Sequence, residues 1–221
     1  MPFRNKTLES IEESDLQELI ENGVLEGKFL EYKKSLPGET DSEKKEFLAD
    51  VSSFANAAGG QLILGIRESD NVPTEVCGTE VSTPDKEIQR LENMVRDGID
   101  PRLPGVSMRH LNLQNSRTAF IMRIPRSFAS PHMVTLRGHS KFYSRNSIGK
   151  YPLDVDELRA AFVLSEATAD RIRNFRIERL GRIIAGETPV PMDDVAKIVL
   201  HVIPLGAFDP SANLDLSAME R

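Results

Sequence analysis

The sequence predicts an α+β fold in which a mixed, mostly antiparallel β-sheet is flanked by helices. The apolar run QLILGI has the length of one strand and indicates a central strand covered on both faces. Two further strand-like segments, VSMRHLNL and TAFIMRIP, are separated only by QNSR and indicate an antiparallel hairpin. Other segments repeat apolar residues every three or four positions, and they predict the flanking helices.

A short helix, a strand and a longer helix are predicted before the central strand. Ser14 is a suitable N-cap for the first helix, and Gly23 is placed to end it. The segment KFLEYKK alternates in character, so Glu31 and Lys33 are expected on the same side of the strand. The second helix is expected to open at Ser42 and to end before the Gly-Gly pair.

The second half of the chain predicts further elements and sets the expected domain boundaries. A helix is expected over 84–97, a closing strand near 141–145, a helix from about 154 to 184 and a last strand over 196–205. A single strand cannot form a domain by itself. We therefore expect a domain over 1–165, a helical linker over 166–186 and the start of a second, truncated domain over 187–221.

Composition excludes several classes of protein. The chain has 221 residues, and none of its apolar runs approaches the ~20 residues of a membrane helix. The N-terminal segment lacks the apolar core of a secretion signal, and the single cysteine, Cys77, cannot form an internal disulfide. A cytoplasmic protein without membrane contact is the expectation. The glycines do not form a phosphate-binding loop, and the histidines lack the paired spacing of a zinc site.

The charges are distributed unevenly along the chain. Its net charge is -6, yet residues 101–150 contain nine Lys or Arg and no Asp or Glu. Such a block suits a polyanionic partner, and nucleic acid is the expected one. The predicted nucleic-acid-binding residues are Arg109, Arg117, Arg123, Arg126, Arg137, Lys141 and Arg145. The alternative is that these cations pair with acidic side chains from elsewhere in the fold.

Three carboxylates and a lysine lie on or beside the two strands around the second helix. Glu26, Glu31 and Glu68, if brought together, would repel one another by ~1 kcal/mol per pair in water and ~4 kcal/mol at an effective dielectric of 20. Mg²⁺ or Mn²⁺ would compensate this repulsion, and Lys33 would supply a further positive charge beside a phosphate. The set would support metal-assisted phosphodiester hydrolysis. The alternative is a solvated strand face without catalytic function.

The order of these parts resembles the Schlafen AlbA-type domain family. Glu26, a spacer of four, Glu31 followed by an aromatic residue and Lys33, the helix end FANAAGG and the apolar strand LILGI occur in the family's order. The segment FYSRNSIGKYPLDVDELRAAF resembles the family's closing strand and helix. The resemblance covers roughly residues 14–165.

This resemblance implies a nucleic-acid-binding fold. In the ribonuclease members it implies a metal-dependent site of three carboxylates that cuts structured RNA such as tRNA, with RNA favoured over DNA. Glu26, Glu31 and Lys33 then match the family's positions, and Glu68 stands where the family has Asp, with Asp70 as an alternative. Many bacterial members are described only as DNA-binding or regulatory domains, so the alternative function is a non-catalytic DNA- or RNA-binding regulatory module. Members also pair such units, which allows a homodimer.

Overall fold

The computed structural model describes residue 3 and residues 6–188, 190 and 198–208. The chain divides into two compact units, residues 1–159 and 160–221. The described residues contain these α-helices: Glu13–Glu21 (α1), Asp41–Asn56 (α2), Pro84–Gly98 (α3) and Val155–Ile184 (α4). Their strands are Leu30–Lys33 (β1), Gly60–Leu64 (β2), Ile66–Ser69 (β3), Val72–Val76 (β4), Ile99–Asp100 (β5), Ser107–Asn112 (β6), Thr118–Ile124 (β7), Met133–Val134 (β8), Lys141–Arg145 (β9) and Lys150–Pro152 (β10).

The α+β fold class predicted from the sequence is confirmed. The main sheet has the strand order β1-β2-β7-β6, in which β1 and β2 are parallel and the other pairs antiparallel. A second sheet has the order β10-β9-β8-β5, and β3 pairs with β4 in a separate hairpin. Helix α2 makes the crossover between the two parallel strands, as such a pair requires.

The central strand β2 carries apolar side chains to both faces of the main sheet. Leu62 and Leu64 lie in one core cluster, together with residues of α2 and α3. Ile63 lies in a second cluster on the opposite face. The continuous apolar run is therefore explained, because neither face of this strand meets water.

The N-terminal segment and α1 cover that opposite face. The buried residues Leu8, Ile11, Leu16 and Leu19 pack there in one cluster with Ile63. The guanidinium group of Arg109 holds this cover in place, since its Nη1 donates to the main-chain oxygens of Leu8 (2.9 Å), Ile11 (3.0 Å) and Glu9. Residues before the first predicted helix are therefore part of the core.

Helix α2 begins one residue earlier than predicted. Thr40 is its N-cap and forms a reciprocal capping box with Glu43, so the chain leaves the preceding loop before Ser42. At its other end Gly59 has φ of +72°, and an added Cβ at Gly60 would lie 2.3 Å from the ring of Phe54. The Gly-Gly pair thus permits a tight turn and the close approach of β2 to the helix.

Most of the predicted elements are confirmed, but the last strand is not. The hairpin, the helix over 84–97 and the closing strand form as expected, and α4 reaches Ile184. Residues 198–204 have no strand, and 196–197 lie outside the described residues. An apolar run forms a strand only where a partner strand accepts its hydrogen bonds, and no strand pairs with residues 198–204 in the described part of the chain. The domain boundaries at 165 and 186 stay predictions, and most of 187–221 lies outside the described residues.

The second unit is described only in part. The ring of Phe175 on α4 meets those of His201 and Phe208 edge-on, at centroid distances of 6.5 and 5.6 Å. Over the described residues, none of the helices is both long and apolar enough to cross a membrane.

Candidate functional site

The predicted Glu–Lys pair lies on β1, which is an edge strand of the main sheet. Leu30 and Tyr32 point to the cluster beneath the N-terminal segment, so Glu31 and Lys33 point to the opposite face, where α2 lies. The prediction that the two side chains share one side is confirmed, because Lys33 Nζ lies 2.5 Å from Glu31 Oε1.

Glu31 is a buried carboxylate held by two cations. Its second oxygen, Oε2, accepts a hydrogen bond of 2.5 Å from Nη2 of Arg145 on β9. Burial alone would raise the pKa of Glu31, but the charge and hydrogen bond of Lys33 and those of Arg145 outweigh it and lower this pKa. Glu31 is therefore ionised in the folded protein.

Arg145 occupies the centre of this arrangement. Its side chain has no exposed area. Nε donates to the main-chain oxygen of Gly27 at 3.2 Å, Nη1 donates to Ser53 Oγ at 3.4 Å, and the guanidinium lies 3.9 Å from the ring centroid of Phe54. Because a fully buried group cannot contact a surface ligand, Arg145 holds β1, α2 and β9 together and is unavailable to nucleic acid in this conformation.

Asp50 of α2 extends the ion network. Lys150 Nζ lies 2.7 Å from its Oδ1, and Lys33 Nζ lies 3.8 Å from its Oδ2. Oδ2 is buried and has no hydrogen-bond partner. Burial raises the pKa of Asp50, and the charges of Lys150 and Lys33 oppose that shift. On Lys33 burial acts against the charge, but the carboxylates of Asp50 and Glu31 outweigh it and raise its pKa.

Glu26 lies beside this network, and within the described part of the chain it forms no salt bridge. Its Oε1 accepts the backbone N–H of Tyr32 at 2.6 Å, which satisfies a donor at the free edge of β1. Burial, followed by the negative charge of Glu31, raises the pKa of Glu26 to about 7, although the Tyr32 hydrogen bond and Lys33 act in the other direction.

Glu68, the third predicted carboxylate, belongs to the β3–β4 hairpin. Its Oε2 accepts the backbone N–H of Asn71 at 2.9 Å and so closes the hairpin turn, in which Asp70 and Asn71 both have positive φ. Its charge is the last of the causes that raise the pKa of Glu26. Glu68 and Asp70 are both exposed.

These carboxylates, as folded, do not fit the three-carboxylate metal centre that the family resemblance implies. Both oxygens of Glu31 are held by cations, and Glu26 and Glu68 each bind a backbone N–H. Over the part of the chain that the structure describes, no group of three or more His, Cys, Asp or Glu side chains could hold a metal ion. A role for Mg²⁺ or Mn²⁺ stays a prediction.

A cleft of about 150 Å³ opens beside Lys33. Its wall includes the carboxylates of Glu43, Glu46 and Asp50, and Leu36 and Phe47 supply an apolar part. Lys33 is paired with Glu31, and Lys150 with Glu46 and Asp50, so the lysines beside this acidic wall are already engaged and a phosphate group is disfavoured. The cleft is thus a poor place for a nucleic-acid backbone.

Most of the predicted nucleic-acid-binding cations have partners within the fold. Arg109 binds three main-chain oxygens, Arg123 donates to the oxygen of Lys6 at 3.0 Å, and Arg117 lies 2.6 Å from Glu80. Arg126 lies 6.0 Å from the ring of Phe128. The alternative of acidic partners therefore holds for Arg117, Arg137 and Arg145, whereas Arg109 and Arg123 bind main-chain oxygens instead.

Arg137 and Lys141 instead lie on an exposed surface beside α2. Arg137 has φ of 47° in a 3₁₀ turn, Leu136–Gly138, and its side chain is 74% exposed although Asp41 lies 3.2 Å away. Lys141 is exposed at the start of β9. Burial, and then the positive charges of Lys45 and Lys141, lower the pKa of His139, which lies between Arg137 and Lys141 in the chain. We call Lys45, Arg137, His139, Lys141 and Tyr143 the α2–β9 surface.

Several residues of the site were missed in the sequence. Asp50 lies three residues after Phe47 and four before Phe54, so helical periodicity alone places it on the buried face of α2. That signal could have been found. Lys45 lies in the charged first turns of α2, a pattern that is typical of an ordinary solvated helix. The effect of its charge on the pKa of His139 depends on the fold and leaves no local signal in the sequence.

The chain belongs to the Schlafen AlbA_2 family, whose model matches residues 26–154. This membership supports nucleic-acid binding. Curated proteins gave no match. The DIP2311 protein from Corynebacterium diphtheriae is similar at 18% identity and a TM-score of 0.41, over 64% of this chain and 27% of that one, so the present chain spans little more than a quarter of its length. The N-terminal domain of a RecG-related protein from Nitrosomonas europaea is similar at 24% identity and a TM-score of 0.36, over 51% of this chain and 71% of that one.

Proposed function

We propose that this chain is a nucleic-acid-binding domain that contacts phosphate groups through the α2–β9 surface. The observation that carries the proposal is the exposure of two cations, Arg137 and Lys141, on adjoining segments beside α2. The positive charge of Lys45 on α2 also acts on His139, which lies between them in the chain. Clustered cations release counterions from nucleic acid when they bind it, which gives affinity without sequence preference. Asp41 and Glu46 are the acidic neighbours on this side of α2, and they keep the surface from being uniformly basic.

RNA is the ligand we favour over DNA, because the ribonuclease members of the family resembled by this chain act on structured RNA. Binding of fluorescent tRNA and of single-stranded DNA, each measured over a range of salt concentrations, tests both preference and mechanism. If phosphate contacts provide the affinity, the logarithm of the binding constant should fall linearly with the logarithm of the salt concentration.

A charge-reversal substitution tests whether the α2–β9 surface is the part of the protein that binds nucleic acid. Lys141→Glu should weaken binding and lower the salt slope by about 1, which corresponds to one lost phosphate contact. Lys86→Glu makes the same change at an exposed position of α3 and should leave the slope unchanged. Equal effects of the two substitutions, or no binding by the unaltered protein at low salt, would overturn the proposal.

A metal-dependent endoribonuclease is the second candidate. The observation in its favour is that Glu26, with a pKa raised to about 7, lies within electrostatic reach of both Glu31 and Lys33. Against it stand the internal partners of Glu31 and the acidic cleft beside Lys33.

A cleavage assay with tRNA decides between the candidates. Cutting that requires Mn²⁺ or Mg²⁺, stops with EDTA and disappears in Glu31→Ala would support the nuclease. Because Glu31→Ala also removes a structural ion pair, Glu26→Gln is the second variant, and thermal melts verify that both fold. Binding without cutting under every condition supports the non-catalytic module.

Pairing of two chains as a homodimer stays a prediction. Light scattering coupled to size-exclusion chromatography measures the mass directly, with and without a bound oligonucleotide. A mass of one chain in both cases would contradict it.

A further inference from the structure

Two aromatic rings lie at the centre of the α2–β9 surface. The ring planes of His139 and Tyr143 differ by only 12°, at a centroid distance of 6.0 Å, and His139 Nε2 lies 2.9 Å from the Tyr143 hydroxyl oxygen. Both residues are half-buried. His139 therefore offers a flat, partly exposed ring whose edge is hydrogen-bonded to Tyr143, and we call the two rings the platform.

The side chain of Asn56 on α2 binds the backbone that carries Tyr143. The Asn56 amide Nδ2 donates to the main-chain oxygens of His132 at 2.9 Å and Tyr143 at 2.8 Å, and Asn56 Oδ1 accepts the His132 N–H at 2.7 Å. Tyr143 also packs against the core cluster of α2. The Asn56 side chain therefore holds the backbone of Tyr143 against α2, and the Tyr143 hydroxyl in turn binds the His139 ring. Restraint of this kind before binding lowers the entropic cost of binding.

The charges around the platform suit a stacked base with phosphates on either side. Burial and the positive charges of Lys45 and Lys141 lower the pKa of His139, so its ring is neutral near pH 7. A neutral ring stacks on a nucleobase through its π-face, while the flanking lysines attract the backbone. Arg137 adds a third cation within the same turn.

We propose that the α2–β9 surface binds single-stranded nucleic acid, with one unpaired base stacked on His139 and the flanking phosphates at Lys45 and Lys141. This inference rests on the proposed nucleic-acid-binding function and adds the ligand class. A base within a duplex cannot offer its face to the ring, so paired strands gain only the phosphate contacts.

Binding of a short unstructured oligonucleotide, compared with its duplex, tests the inference. His139→Ala should weaken single-strand binding by about 5- to 150-fold, which corresponds to the ~1–3 kcal/mol of one stacked base, and should leave duplex binding unchanged. His139→Phe restores a ring and should recover most of the affinity. His139→Gln retains a polar side chain without a ring and should not recover the affinity.

His110→Ala is the matched control, since His110 is a half-buried histidine on β6, beside Asp85 and away from the α2–β9 surface. Its single-strand affinity should equal that of the unaltered protein. An oligonucleotide containing 2-aminopurine adds a direct readout, because stacking on the imidazole quenches its fluorescence.

The possible failures are distinguishable. If no oligonucleotide binds at low salt, the proposed function fails and this inference fails with it. If single strands bind but His139→Ala binds as tightly, or His139→Phe binds as weakly as His139→Ala, stacking is overturned and phosphate binding by this surface survives. Circular dichroism melts confirm that each variant is folded.

Discussion

Glu31 and Glu26 belong to the same short segment of chain, yet the fold gives them opposite environments. Glu31 is contacted by Lys33 and Arg145, and its pKa is lowered. Glu26 has a backbone N–H as its hydrogen-bond partner, and its pKa is raised to about 7. Burial raises the pKa of both, so the difference comes from the cations.

Carboxylates that lie near one another do not by themselves make a metal site. A carboxylate with two cationic partners is already neutralised, and a divalent ion would have to displace one of them. The other can accept a proton near neutral pH. The same three glutamates that suggest a metal centre in the sequence are thus a structural anchor, a titrating group and a turn residue in the fold.

Removal of Arg145, the buried cation that distinguishes Glu31 from Glu26, should have the largest effect. Arg145→Ala leaves the buried Glu31 with one cation and removes the contacts to Gly27 and Phe54, so the free energy of unfolding should fall by about 3–5 kcal/mol in urea denaturation. Arg145→Lys keeps the charge without the planar fork and should lose less. Arg102→Ala, a control at an exposed arginine, should change the free energy of unfolding by no more than about 0.5 kcal/mol. A loss as large as that of Arg145→Ala would contradict the structural role of Arg145.

Removal of the charge on Glu31 should have the next largest effect. Glu31→Gln leaves the guanidinium of Arg145 buried without an anion, and about 2–4 kcal/mol of stability should be lost. In the unaltered protein the same stabilisation should be present above about pH 4.5 and be lost as pH falls through the lowered pKa of Glu31. Glu75→Gln, which breaks an exposed pair with Arg67, is the control and should change little.

The contribution of Glu26 to stability should depend on pH in the opposite direction to that of Glu31. Its pKa is near 7 when folded and 4.5 ordinarily, so the unfolded chain ionises first and stability falls as pH rises from about 4.5 to 7. Since Glu26 is only partly buried, solvent screening reduces the effect to about 1–2 kcal/mol. Glu26→Gln keeps an acceptor for the Tyr32 N–H and should flatten this slope, being as stable as the unaltered protein at pH 4.5 and more stable at pH 8. An unchanged slope would contradict the raised pKa.

Glu68→Gln should have the smallest effect on stability, and it tests how much the charge of Glu68 contributes to the raised pKa of Glu26. It removes the last of the causes that raise the pKa of Glu26, so the midpoint of the pH dependence should move slightly to lower pH. Stability should change by less than about 0.5 kcal/mol, because Glu68 is exposed and glutamine can still accept the Asn71 N–H. Asp70→Asn, a neighbouring change of the same charge, is the control for a general effect of charge, and an NMR titration of Glu26 measures the shift directly.

The fold could be predicted from the sequence because its main signals are local. The periodicity of β2 and of the helices, and the turn between β6 and β7, depend on neighbouring residues only. The Glu31–Lys33 contact followed from strand alternation in the same way. The strand expected over 196–205 was predicted from an apolar run alone, and such a run says nothing about whether a partner strand exists.

The roles of the site residues could not be predicted because they depend on pairing between distant parts of the chain. Arg145 belongs to an acid-free block and was therefore interpreted as a surface cation. Its carboxylate partner, Glu31, is 114 residues away. Likewise, the charge of Lys45 acts on His139 in a fold where the Asn56 side chain binds the main-chain oxygen of Tyr143 and so joins β9 to α2.

The N-terminal cover has a practical consequence for anyone who trims this protein to its family match. A recombinant fragment of residues 26–154 would lack Leu8, Ile11, Leu16 and Leu19, and the apolar side of the sheet around Ile63 would open to water. Exposed surfaces of that kind drive self-association. Expression should therefore start upstream of the family boundary, because the unit that folds is longer than the unit that sequence comparison recognises.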